Sequence, residues 1–290
     1  MSTEMSELCG DGIRCDLSER ILTITFDRPL VLNAFSYPML NAFLRALVMA
    51  DEHPGVGAII VTGSGRAFSA GTDISAAPGG FEHQALAASN GAGERDFGGM
   101  IALKMFRSSK PIIAAVNGAA VGFGSTLVLP MDMRFASEDA YFCFIFTRRG
   151  LMPEACSTWF LPRVVGITRA MDWGLSGRMV TAREAADAGL LAEVVAGDKL
   201  IARAREAARV LVTSTSPTSL AVSRRAMWSM LAASGPEAAH ALESEGMNLL
   251  RASADFREAM AGFREKRPAV FGTAPDAAIM ARTNRLIGEL

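Results

Sequence analysis

Residues 67–75 read Ala-Phe-Ser-Ala-Gly-Thr-Asp-Ile-Ser. They follow an apolar, strand-like run, Gly57–Thr62, and a Gly63-Ser64-Gly65 turn. Small residues at Ser69, Ala70 and Gly71 permit a ligand to come close to the main chain. The backbone N–H groups that follow can then face an anionic or polarised oxygen. A tight loop leaving a strand has the same letters, so this stretch alone leaves both readings open.

Residues 111–124, Pro-Ile-Ile-Ala-Ala-Val-Asn-Gly-Ala-Ala-Val-Gly-Phe-Gly, repeat the design. A buried-type strand runs into glycines, and a helix is predicted to start at Gly124–Ser125. Helix N-termini present free N–H groups and the positive end of the dipole. Two such loops side by side would supply two main-chain donors to one oxygen. The apolar run Pro111–Met131 has about the length of a membrane span. Asn117, its glycines and Ser125–Thr126 interrupt it, so a buried strand, a turn and a short helix are expected instead.

The two segments, AFSAGTDI and KPIIAAVNGAAVGFGS, resemble the oxyanion-hole segments of the crotonase (enoyl-CoA hydratase/isomerase) superfamily. The resemblance runs from about Ile13 to Phe271. It implies an α/β fold, a crotonase-like spiral of ββα units over residues 1–197, followed by a helical trimerisation region over 198–290. No repeat is visible in the letters themselves, so the spiral is implied by the resemblance alone. The implied protein is an enzyme, an enoyl-CoA isomerase or hydratase, acting on an acyl-CoA thioester as a homotrimer or homohexamer. It needs no separate cofactor, because CoA arrives with the substrate.

The composition agrees with a folded enzyme. With 290 residues, 50% of them hydrophobic, the chain can bury a sizeable core. A net charge of −1 gives no electrostatic footprint for nucleic acid. Cys9, Cys15, Cys143 and Cys156 lack metal-site spacing, and there are only three histidines, so no metal is expected. The stretch Met1–Asp16 carries acids and no apolar core, which predicts no signal peptide. A reduced, cytoplasmic setting without membrane attachment is the expectation.

In order, the pattern predicts a hairpin over Ile13–Arg28, turning at Ser18-Glu19-Arg20. A helix capped by Ser36 follows, with Leu40, Phe43, Leu44, Leu47 and Val48 on one face. A strand is expected at Val56–Thr62, and Ala76–Asp96 reads as a mobile or loosely packed segment. Helix Gly99–Arg107 then precedes the second glycine strand. Further strands are predicted at Met133–Ala136, Ala140–Phe146 and Leu191–Val195. Helices are predicted at Ser157–Val165 and Thr168–Leu175, and a capping box, Thr181-Ala182-Arg183-Glu184, starts another. Four helices are expected after Asp198: Leu200–Val212, Pro217–Leu231, Ala238–Leu250 and Asp255–Lys266.

Site residues follow from the resemblance. The main-chain donors would be the N–H groups of Thr72 and Phe123, each worth roughly 2.7–4 kcal/mol in the transition state. Phe123 equally fits a core aromatic. The two glutamates of the family's hydratases fall, without gaps from Asn117-Gly118, on Thr126 and Phe146, neither of which moves protons at neutral pH. Glu154, in Gly-Leu-Met-Pro-Glu-Ala, instead sits where peroxisomal-type enoyl-CoA isomerases carry a single catalytic glutamate. An apolar surround of Leu151, Met152, Phe160 and Leu161 would raise its pKa; a helix-N-terminal structural glutamate is the other reading. Substrate and CoA contacts are expected from Arg28, Ala70, Asp73, Ile74 and Lys266, the last within Phe263-Arg-Glu-Lys-Arg267, which lies near an adjacent subunit's CoA in the family. Glu82 and His83 are weaker candidates, Asp132 reads as structural, and a non-catalytic acyl-CoA-binding role is the alternative from a different class.

Overall fold

The computed structural model describes residues 10–73 and 95–289. The chain opens with an antiparallel hairpin, β1 (Ile13–Ser18) and β2 (Ile21–Phe26), in register from Ile13 with Phe26 to Ser18 with Ile21. Glu19 and Arg20 connect them at φ of 54° and 64°, the left-handed pair that a two-residue hairpin turn requires. Helix α1 (Tyr37–Glu52) follows, with the Ser36 hydroxyl accepting from the Met39 N–H at 3.4 Å and Pro38 in the first turn. Its buried side is Met39, Ala42, Phe43, Ala46, Leu47 and Ala50. The stripe is rotated from the expected one because the alanines let the helix lie close on the sheet, leaving Val48 exposed.

The next elements are β3 (Ala58–Gly63), β4 (Ala67–Ser69), α2 (Phe97–Arg107), β5 (Ile112–Val116), β6 (Ala119–Val121) and α3 (Phe123–Thr126). Then come β7 (Met133–Ser137), β8 (Tyr141–Cys143), α4 (Ser157–Val165), α5 (Ile167–Ser176), β9 (Met179–Thr181), α6 (Ala182–Asp187) and β10 (Glu193–Val195). A six-stranded sheet has the order β1-β2-β3-β5-β7-β10, parallel from β2 onward, and a four-stranded sheet has the order β4-β6-β8-β9. From β3 to β8 successive strands alternate between the two sheets. Each turn of chain thus adds one strand to each sheet, and the result is a spiral.

The larger sheet is buried on both faces, as parallel sheets are. Ile59 and Val61 of β3 point into one apolar cluster with α1 and α2, while Ala58 and Ile60 point into a second. That second cluster is closed by Leu200, Ala204, Ala208 and Val212 of α7 (Leu200–Ser214). The remaining helices are α8 (Pro217–Met230), α9 (Pro236–Arg251), α10 (Ala254–Glu265) and α11 (Ala277–Glu289). The last was not expected from the sequence.

Two local expectations are corrected. The strand predicted to reach Phe146 ends at Cys143, and a 3-10 turn, Ile145–Arg149, takes over and closes on Gly150 at φ 71°. The capping box is only half formed. The Thr181 hydroxyl accepts from the Glu184 N–H at 3.2 Å, but the Glu184 carboxylate turns to the Arg178 guanidinium and the Trp173 indole. A charged guanidinium outcompetes a backbone N–H for a carboxylate.

Asp132, read as structural, joins the helical part to the sheet. It accepts from the Ile112 N–H at 2.7 Å, Arg224 Nε at 2.8 Å and Trp228 Nε1 at 2.8 Å. The Arg224 side chain is 5% exposed and also donates to the carbonyls of Met105 and Ser108 at the end of α2. Removing the carboxylate strands a buried guanidinium, at a cost of about 3–5 kcal/mol. Asp132→Ala is therefore expected to lower the urea-unfolding free energy by about that amount, whereas a change under about 0.5 kcal/mol would mean the pair is solvated.

Candidate active site

The first glycine turn is fixed by two amides, Asn33 buried and Asn117 half-buried. Asn33 donates to the carbonyls of Ser64 and Ala67 at 2.9 and 2.8 Å, and Asn117 donates to Gly65 and accepts from the Gly63 N–H. The second turn is brought beside it by parallel pairing of β4 with β6, Ala67 opposite Ala119 and Ser69 opposite Ala120. A Cβ built on Gly71 would lie 2.7 Å from the Val121 carbonyl oxygen and 3.4 Å from the Phe123 nitrogen. The two loops are in contact, and only glycine fits at 71, which also holds φ at 93°.

Thr72 forms an isolated parallel bridge with Phe35. The Phe35 N–H donates to the Gly71 carbonyl at 2.7 Å, and the Asp73 N–H donates to the Phe35 carbonyl at 2.9 Å. Thr72 lies between these bonds, so its own N–H faces the other side, as alternate residues of a strand do. Phe123 is the first residue of α3, following Gly122 at φ 53°. Among the described residues, neither the Thr72 nor the Phe123 N–H is given to a protein acceptor. The Phe123 ring itself is buried, edge-on to Phe35 at 5.0 Å between centroids. It is a core aromatic whose backbone faces the site.

Glu154 sits across from this turn. A Cβ on Gly98 of α2 would meet Glu154 Oε2 at 2.1 Å and Phe123 Cε2 at 2.9 Å, which places the carboxylate and the Phe123 ring around one glycine. The Thr126 hydroxyl lies 2.9 Å from Glu154 Oε1 and 3.2 Å from the Phe123 carbonyl. A hydroxyl has one proton. It turns to Glu154 when that carboxylate is ionised, and to Phe123 when Glu154 is protonated and donates. Burial pushes the Glu154 pKa up to about 8, the Thr126 hydroxyl works against this, and the charge and side chain of Asp96 add to the rise. The expected apolar surround is only partial: Phe160 and Leu161 are buried, but Leu151 and Met152 are exposed.

Of the other predicted residues, Arg28 and Asp73 pair with each other at 3.1 Å, and Arg28 also donates to the Ala34 carbonyl at 2.6 Å. Together they brace the loop that carries Thr72. Ala70 donates its N–H to the Leu32 carbonyl at 2.9 Å. Lys266 is the left-handed cap of α10, φ 53°, on a helix that packs on α9 rather than around Glu154. Ile74, Glu82 and His83 lie outside the described residues. Sequence reasoning missed three contributors: Thr126 as the partner of Glu154, Gly98 as the space it occupies, and Asp96. The signal for Asp96 was its place as an N-cap before Phe97-Gly98-Gly99. Among the described residues no group of His, Cys, Asp and Glu is arranged to hold a metal, and no helix is long and apolar enough to cross a membrane.

Comparison with known proteins gives the same architecture. A structure titled enoyl-CoA hydratase from Mycobacterium smegmatis superposes with a TM-score of 0.79 at 27% identity, covering 90% of this chain and 99% of that one. A probable enoyl-CoA hydratase of Rhodobacter capsulatus is 39% identical over 89% of this chain and 97% of the relative. The 1,2-epoxyphenylacetyl-CoA isomerase of Escherichia coli is 32% identical over 87% and 94%. The family model for enoyl-CoA hydratase/isomerase matches residues 16–274. The spiral is thus the crotonase fold, and the chain belongs to the enoyl-CoA hydratase/isomerase family.

Two outcomes test the geometry. Because the Glu154 pKa is raised from 4.5 to about 8, the folded state holds an extra proton between those values. That stabilisation is complete below the lower value and is lost as pH rises through the upper one. Urea-unfolding free energies of wild type relative to Glu154→Gln should therefore fall between roughly pH 5 and 8; parallel curves would place the carboxyl in water. Gly98→Ala forces the carboxylate aside and is expected to cost about 1–3 kcal/mol, and an unchanged unfolding midpoint would mean the space is not filled.

Proposed function

We propose that the protein shifts the double bond of an enoyl-CoA thioester, with Glu154 as its one acid–base group. The observation that carries this is the single desolvated carboxyl, pushed up to about 8, packed against the turn that begins at Phe123, with Thr126 in place of a second carboxylate. Ionised Glu154 takes a proton from C2 of a 3-enoyl thioester. The electron pair moves onto the thioester oxygen, where the N–H groups of Thr72 and Phe123 receive it. The same carboxyl returns the proton to C4, so atoms and charge balance without a co-reactant. A base that titrates near working pH is matched to both halves of this exchange.

Arg28 and Asp73 would hold the Thr72 loop against the ligand, with Ala70 and Ile74 alongside the acyl-CoA. Lys266 would serve the CoA of a neighbouring subunit in a homotrimer or homohexamer, a reading supported by the exposure of Phe263 beside it. No cofactor beyond the substrate's own CoA is required. A second reading, water addition, is favoured by the hydratase names of several relatives and by a second carboxylate, Asp96, beside Glu154.

Steady-state assays separate the readings. Wild type is expected to convert 3-enoyl-CoA to 2-enoyl-CoA, and Glu154→Gln to lose about 10²–10⁴ in kcat while still binding CoA thioesters. Undiminished isomerisation by the variant would remove Glu154 from the chemistry. Net hydration of 2-enoyl-CoA in place of isomerisation would establish the second reading, and binding without any turnover would leave an acyl-CoA-binding protein.

A further inference from the structure

Glu154 lies on a turn that L-residues rarely adopt. Ala155 and Cys156 follow it at φ of 56° and 57°, two consecutive left-handed residues costing about 1–2 kcal/mol each. Something must hold that turn: the Ser157 N–H donates to the Glu154 carbonyl at 3.0 Å, and a side-chain contact comes from the start of α2. Asp96 is the N-cap of α2, its Oδ2 accepting from the Gly99 N–H at 2.5 Å. The same oxygen lies 3.3 Å from the Ala155 N–H. One carboxylate therefore caps the helix, whose Gly98 leaves room for the Glu154 carboxyl, and ties down the residue next to Glu154.

The two carboxyls have different surroundings. Asp96 is exposed, whereas Glu154 is half-buried with its oxygens against Gly98 and Thr126. When neighbouring carboxyls differ in this way, the wetter one carries the charge and the drier one keeps the proton. We propose that Asp96 is a positioning residue for Glu154: it fixes the strained turn through the Ala155 N–H, and its negative charge holds the proton on the neighbouring carboxyl. The inference rests on the reading of Glu154 as the acid–base group.

The ionisable group that acts on this carboxyl, among the described residues, is Asp96 from the start of α2, with the Thr126 hydroxyl from α3 as a neutral partner; Asp96 and Glu154 in turn push up the Cys156 thiol on the same turn. The charge and the side chain of Asp96 both raise the Glu154 pKa, in agreement with the geometry. Removing the charge must lower the pH at which Glu154 ionises. Asparagine is as good an N-cap as aspartate and retains an oxygen for the Gly99 and Ala155 N–H groups, so Asp96→Asn isolates the charge from the fold. Asp96→Ala removes both.

The test is the pH profile of kcat/KM for 3-enoyl-CoA, read beside a carboxyl-¹³C NMR titration of the Glu154 resonance, assigned by its loss in Glu154→Gln. In Asp96→Asn both inflections are expected about one pH unit lower than in wild type, with KM within about threefold of wild type, a change worth under 1 kcal/mol. In Asp96→Ala turnover should fall further and the Glu154 resonance broaden, since the turn is no longer held. A folded Asp96→Asn protein whose inflections coincide with wild type overturns the proposal, as does a uniform loss of kcat with an unmoved NMR titration. If the NMR inflection moves while Glu154→Gln keeps full activity, the coupling stands and the double-bond reading falls instead.

Discussion

The structure depends on a short parallel pairing. Ala67 and Ser69 of β4 lie opposite Ala119 and Ala120 of β6, with a register irregularity between them, and this contact sets the turn after Ser69 against the turn after Val121. Everything chemical at the site is downstream of that register. A slip by one residue would exchange the faces of both strands and separate Gly71 from the Phe123 nitrogen. The pairing is held by side-chain amides as well as by the buried Ala67, Phe68 and Ala120. Asn33 and Asn117 together occupy the carbonyls of Ser64, Gly65 and Ala67, and the Ser69 hydroxyl donates back to the Asn33 carbonyl at 2.9 Å. The buried Asn33 amide is costly unless satisfied, so once satisfied it specifies one arrangement of the loop.

Main-chain donors and a side-chain acid place different demands on the fold. As proposed, the donors would need only backbone geometry, so threonine and phenylalanine could serve at 72 and 123 where smaller residues would also fit. The ring of Phe123 is then free to pack on Phe35, and the same residue links the core to the site. The acid needs a particular dielectric setting. Glu154 obtains it from the space over Gly98, from the Thr126 hydroxyl that reorients with its protonation, and from Asp96.

Local chemistry made much of this readable from the sequence. The hairpin turn at Glu19–Arg20, the Ser36 cap, both glycine loops and most helices follow from period, caps and turn residues. Three features were not readable because they depend on side-chain contacts that no local periodicity or cap pattern encodes. The inward rotation of α1 toward its alanines reflects sheet packing. The diversion of Glu184 from its capping role reflects Arg178, on the far side of β9. Above all, Asp96, Thr126 and Glu154 are separated by 30 and 28 positions, from 96 to 126 and from 126 to 154, and no periodicity links them. Thr126 looked like a missing carboxylate, yet in three dimensions it is the partner of the carboxylate that is present. The short helix Phe123–Thr126 was expected because glycines precede it, whereas α11 has only an amphipathic pattern that the composition around it obscures.

The division between fixed donors and a single placed acid also explains why strain collects where it does. The donor turns use glycine at their left-handed positions, Gly71 and Gly122, so the backbone there is relaxed. The Glu154 turn uses alanine and cysteine at two such positions, so its conformation must be imposed by its surroundings. The donor turns keep their geometry through the Asn33 and Asn117 amides and the Arg28–Asp73 pair. The acid turn is held from outside by its clamp, the Asp96 carboxylate, and by the Thr126 hydroxyl. The first follows from the spiral and its amides, and the second from a few contacts: Asp96 with the Ala155 N–H, Thr126 with the Glu154 carboxyl, and the Ser157 N–H with the Glu154 carbonyl. On the proposed reading, the proton-transfer half therefore depends on the Asp96 carboxylate and the Thr126 hydroxyl, and the oxyanion half on the pairing of β4 with β6 and the amides that hold it.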